Sequence, residues 1–102
     1  LHYFAQEHQK KFRAEQQILL FLIHCPEKVP EISQMLSPNC FYTNMHRNIY
    51  FSICKEQFPC FSETEQSCIT DIEEEYQGIT PSWETITDCI SILQNQNHNL
   101  IS

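Results

Sequence analysis

One glycine, Gly78, stands among 102 residues. Folds that depend on repeated positive φ angles are thereby excluded: hairpin-rich sandwiches, phosphate-cradling loops and dinucleotide-binding turns. A long apolar run is also missing. Residues 18–23 form the longest, six residues against the roughly 20 of a membrane span. They fall short of the about 7–15 of a secretory core segment, and no small-residue cleavage site follows. No Asn-x-Ser/Thr sequon, no Cys-x-x-Cys pair and no period-2 alternation occur, so secretion, a metal site on the cysteines and a β-sheet all lose support. Catalytic signatures are absent too. There is no Gly-x-Ser-x-Gly elbow, no His-Glu-x-x-His and no Walker sequence, and His24, His46 and His98 are not spaced for a shared metal. Neither a catalytic residue, a metal site nor a cofactor is expected.

Basic residues are missing from half the chain. Residues 1–55 hold all six bases (Lys10, Lys11, Arg13, Lys28, Arg47, Lys55) and four acids; residues 56–102 hold nine acids and no base. With a net charge of −7, the chain repels a phosphate backbone, so direct nucleic-acid binding is not expected. The acidic half suits solubility or a basic protein partner.

What is present is a set of helical patterns punctuated by five prolines. Residues 3–24 contain good helix formers and no breaker, and their apolar run wraps most of the circumference. That segment should be a central helix, buried on several sides. A short helix over residues 30–36 follows Pro26, with Val29, Ile32, Met35 and Leu36 on one side. Thr43 is placed to cap a helix over residues 44–56, whose buried stripe runs Met45, Ile49 and Ile53, widened by Tyr50 and Cys54. Asn48, Arg47, Ser52 and Lys55 face elsewhere.

Ser62 and Glu65 form a capping box ahead of a helix over residues 63–76, carrying Cys68, Ile69, Ile72 and Tyr76 inward. Glu73, Glu74 and Glu75 read as a solvated face at an end where acids oppose the helix dipole, so a basic partner would be welcome there. Gly78 is placed as C′, and Thr80-Pro81 as the N-cap and first residue of the last helix. That helix shows Trp83, Ile86, Ile90 and Leu93 at three- and four-residue spacing, then Asn97, Leu100 and Ile101. Its pattern reads as cut off, and residue 1 is Leu, as in a piece of a longer protein. The expected architecture is all-α: one compact bundle domain of about five helices over residues 1–102, with a longer last helix.

Six cysteines allow three disulfides in 15 pairings, but most sit at apolar positions of helical patterns, where free Cys acts as a small hydrophobe. Reduced, structural cysteines are the expectation. Glu15 precedes the apolar run and Arg47 sits near a helix start. A pairing of Glu15 with Arg47 would hold two helices in register.

Residues Glu15, Leu19, Leu20, Leu22 and Pro26, then Phe41, then His46, Arg47, Ile49, Tyr50 and Ile53 follow a recognisable order. The pattern is E-x-x-x-L-L-x-L-x-x-x-P, then F, then H-R-x-I-Y-x-x-I. It resembles the helical module shared by the C-terminal, helicase-binding domain of bacterial DNA primase and the N-terminal domain of the replicative DNA helicase. The likeness covers residues 14–54. The segment Trp83 to Gln94 looks more like the primase domain, where a bundle runs into a long helix, and no Gly-rich hinge of the helicase type appears.

This resemblance implies a non-catalytic, cytoplasmic domain of a primase, with the polymerase activity elsewhere in the parent chain. Its partner would be the replicative helicase, with no membrane and no small-molecule substrate. Candidate contacts are Glu73, Glu74 and Glu75, Asn48 on the exposed side of its helix, and Leu100 and Ile101 on the last helix. The helicase N-terminal domain itself is the alternative parent. Two further readings differ in kind: a disulfide-stapled secreted helical ligand, and a small enzyme using a Cys with a His.

Overall fold

Helix formers without a breaker carry α1 from His2 to His24, and Pro26 stops it. The computed structural model describes the backbone of residues 2–101 and the side chains of residues 6–95. Four more helices follow: α2 (Val29–Met35), α3 (Asn44–Lys55), α4 (Glu63–Glu75) and α5 (Trp83–Ile101). Short 3-10 turns occupy Pro26–Lys28 and Pro38–Cys40. Among the described residues there is no strand.

The core is built around α1. Ile18, Leu19 and Leu20 are fully buried, with Ala14, Phe21 and Leu22 nearly so. Such a run has no outer face to spare, and α1 is accordingly flanked by α3, α4 and α5. Ile32 comes from α2, Ile49, Tyr50 and Ile53 from α3, Ile69 and Ile72 from α4, and Ile86, Cys89, Ile90 and Leu93 from α5. Met35 departs from the expected inward side: it is exposed, and its carbonyl accepts from Gln94 Nε2 at 3.1 Å, fastening α2 to α5. Phe41 stacks on Tyr50 at 4.4 Å, and the Tyr50 hydroxyl donates to the Leu36 carbonyl at 2.7 Å. A buried phenol needs such a partner.

The ends of α4 follow the capping rules closely. Ser62 Oγ accepts from the Glu65 N–H at 3.1 Å, and Glu65 Oε1 accepts from the Ser62 N–H at 2.8 Å. At the other end the Gly78 N–H reaches the Glu73 carbonyl at 2.8 Å and the Gln77 N–H the Glu74 carbonyl at 3.2 Å, a Schellman closure. The left-handed excursion starts one residue earlier than expected, at Gln77 (φ 56), and continues through Gly78 (φ 66).

Two expected caps are corrected. Thr43 occupies the N-cap of α3, but its side chain makes no capping bond. The cap of α5 is Ser82, whose Oγ accepts from the Thr85 N–H at 3.1 Å and whose carbonyl takes the Ile86 N–H. Thr80 is not the cap because its hydroxyl is engaged by His24 Nδ1 at 2.7 Å. Among the described residues no helix is long and apolar enough to cross a membrane.

Candidate protein-interaction surface

Glu15 lies on α1 one turn before the apolar run and is fully buried. Its carboxylate joins two elements. Oε1 accepts from His46 Nδ1–H at 2.8 Å, and Oε2 accepts from the Tyr42 backbone N–H at 2.6 Å. His46, on the first turn of α3, is itself only 2% exposed. A buried carboxylate needs its lone pairs satisfied, and this one has a charge-compatible ring and an amide.

The expected Glu15–Arg47 pair is therefore corrected: the neighbouring residue takes the carboxylate. On α3, position 46 lies three and four residues before Ile49 and Tyr50, on the buried stripe, while position 47 is about 100° further round. Met45, the expected start of that stripe, is only partly buried. Arg47 turns outward and bonds the connector instead. Nε donates to the Phe41 carbonyl at 3.0 Å, Nη2 to the Tyr42 carbonyl at 3.3 Å and Nη1 to Asn44 Oδ1 at 2.9 Å. Glu15 and Arg47 thus line one cleft and clamp the same connector from two sides. Tyr42 is 58% exposed there, with Phe12 beside the cleft at 42%.

The second polar junction joins the other end of α1 to α4. His24 Nε2 contacts the Glu73 carboxylate at 2.9 and 3.0 Å. Glu73 is thus not part of a wholly solvated run: it ties the last turn of α4 to α1, while Glu74 and Glu75 are exposed. Asn48 is exposed on α3, and among the described residues no hydrogen bond or ion pair joins it to the three glutamates. The side chains of Asn97, Leu100 and Ile101 lie outside the described residues. A third feature, which the sequence reading did not single out, is an apolar groove lined by Leu22, Val29, Pro30, Ile53, Phe58 and Phe61. Phe58 on its lip is 83% exposed.

No disulfide joins two cysteines among the described residues. Burial, followed by the Asp71 carboxylate, pushes the Cys68 thiol up. Burial likewise raises the Cys54 thiol. Burial and then Asp88 push Cys89 up to about 11. Protonated thiols are poor nucleophiles and poor metal ligands. Among the described residues no three His, Cys, Asp or Glu are grouped to hold a metal ion.

The family model described as DnaB-like helicase N terminal domain matches residues 7–58, which is half of the chain and contains Glu15, the connector, His46 and Arg47. The chain belongs to the DnaB-like helicase N-terminal domain family. That domain is helical and non-catalytic, so a partner-binding surface rather than a reaction centre is the relevant geometry. The matched span ends at Phe58, and α4 and α5 lie beyond it. No curated protein and no solved structure matches the chain.

Proposed function

We propose that this domain is a non-catalytic docking module of the cytoplasmic DNA replication machinery. Its partner is the replicative helicase, through the related N-terminal bundle of that enzyme. The observation that carries the reading is the coincidence of the family span, residues 7–58, with the Glu15–His46–Arg47 clamp, which fixes the connector carrying exposed Tyr42 between α2 and α3. Rigid helix faces around a packed core suit helix-face docking, where a few buried aromatic or Arg contacts dominate. Glu74, Glu75 and Asn48 supply an exposed rim. In this reading the acids act on encounter rate and salt dependence more than on final affinity.

Two parents fit the module. The family match favours the N-terminal domain of the helicase. The sequence likeness of the Trp83 to Gln94 segment favours the C-terminal domain of a primase, whose polymerase activity would lie elsewhere in the parent chain. In the first case the related bundle is a second copy, in the second a different protein. Size-exclusion chromatography with light scattering tests both: the chain alone, then with intact replicative helicase. Co-elution with the helicase and a monomeric chain alone support the primase parent. Self-association without co-elution supports the helicase parent. Neither event at micromolar concentrations contradicts the docking function.

A further inference from the structure

Most of the six bases have local company. Lys28 pairs with Glu31 at 3.4 Å, Lys55 lies over the Phe51 ring at 5.4 Å and Arg47 bonds the connector. Lys11 lines the cleft beside Tyr42, which also holds Glu7 and Glu15. Lys10 and Arg13 differ. Both are exposed, and neither enters a hydrogen bond or an ion pair among the described residues. Three residues apart on a helix, they share one stripe of α1 and repel each other.

That stripe faces a second cleft, between α1 and α5. Gln6 and Gln17 extend it by a turn in each direction. The floor is apolar: Ala14 and Cys89 are buried and Ile92 is partly so. No acid among the described residues lines the cleft. Asp88 acts on Cys89 and Glu75 on the Tyr76 phenol, but neither reaches Lys10 or Arg13 within ion-pair distance. A cationic cleft thus stands in a chain whose net charge is −7.

We infer that this cleft receives an acidic segment of the docking partner, in which carboxylate side chains flank an apolar one. The carboxylates meet Lys10 and Arg13, and the apolar side chain packs on Ile92. The inference rests on the docking function proposed above and adds the cleft and the chemistry of the contact. Charge complementarity selects the occupant. Arginine holds a carboxylate through two parallel hydrogen bonds, and a carboxylate between the two bases relieves their mutual repulsion. The flanking glutamine amides carry both donors and acceptors, which suits a peptide backbone. A nucleic acid would bring its phosphates to a molecule of net charge −7 and would leave the apolar floor unused. The groove beside Phe58 offers no such selection, because Lys55 shares it with Glu27 and Glu56.

Biolayer interferometry against intact replicative helicase, and sedimentation of the chain alone, read the complex that the wild-type chain forms. Lys10→Glu and Arg13→Glu each weaken it by about tenfold or more and flatten its salt dependence. Lys11→Glu makes the same change of charge toward the other cleft and stays within about twofold of wild type. The side chains of Lys10 and Arg13 are exposed and unbonded, so their reversal keeps the wild-type helical circular dichroism. Lys10→Gln with Arg13→Gln, which adds no acid, carries the test should a reversal lose helicity. Carbodiimide coupling joins an amine to a carboxylate in contact with it, and it should link Lys10 to an aspartate or glutamate of the partner; isotope-labelled chains separate links between copies from links within one. Equal losses in all three reversals are a general field effect and overturn the inference. A complex without that Lys10 link overturns it too, as does a single-stranded DNA oligonucleotide retained by the wild type and lost in Lys10→Glu. Absence of any wild-type complex overturns the docking function as well, so the two failures are told apart.

Discussion

Removing Glu15 tests the clamp at its smallest scale. Glu15→Leu leaves the Tyr42 amide without its acceptor and buried His46 without its partner. Leaving a buried polar group unsatisfied typically costs about 1–3 kcal/mol, so a marked drop in urea midpoint is expected. Glu15→Leu with His46→Leu recovers part of it, because apolar replacement of both partners removes the unsatisfied groups. No recovery in the double variant would show that the two residues act separately. Cys89 gives a pH test. Burial and Asp88 push its thiol from an ordinary 9.0 to about 11. The unfolded chain releases that proton first, so the stabilisation is complete below pH 9 and is lost as pH rises through about 11. The urea midpoint should fall between about pH 8.5 and pH 10.5, less steeply in Cys89→Ala. An identical slope in the variant would refute it. At this scale the sequence marked Glu15 and Arg47 as special but joined them wrongly. His46 sits at helical spacing from Ile49, Tyr50 and Ile53, the signal that could have found it. A polar residue on an apolar stripe reads as an outer position until its buried partner is known.

The elements themselves were far more legible, because their ends are set by local chemistry. The box of Ser62 and Glu65 begins α4 as expected, and Ser62→Ala should cost about 1 kcal/mol of stability, read by thermal melting. Gly78 sits at φ 66, and a Cβ there would meet nothing closer than Glu73 Oε1 at 3.9 Å. Gly78→Ala is therefore opposed by backbone conformation alone, at about 1 kcal/mol. A larger loss in that variant would point to packing that the turn does not show. Where element boundaries slipped, a distant residue was the cause. Thr80 has the right chemistry to cap α5, but His24, 56 positions earlier, holds its hydroxyl, and the cap falls to Ser82. No local pattern contains that information. The exposure of Met35 is of the same kind, since it follows from how α2 meets α5.

Across the whole molecule, the run at residues 18–22 organises everything else. Buried on all sides, it leaves only outer faces for work, and the sequence pattern conveyed this directly. Which outer face works was not legible: Tyr42, Phe12 and Phe58 are ordinary aromatics in a sequence, and their exposure depends on tertiary packing. The helicase family was legible from the order of Glu15, the leucines, Phe41 and the His46-Arg47 pair, although the sequence reading leaned to the primase relative and the family match falls on the helicase one. Hydrogen exchange on the full chain, alone and with saturating intact replicative helicase, tests the central claim most directly. Amides of residues 18–22 should exchange slowest in both conditions, and helicase should add protection on an outer face while leaving that core unchanged. Fast exchange at residues 18–22, or no new protection on an outer face either with helicase present or on raising the concentration of the chain alone, would contradict the account.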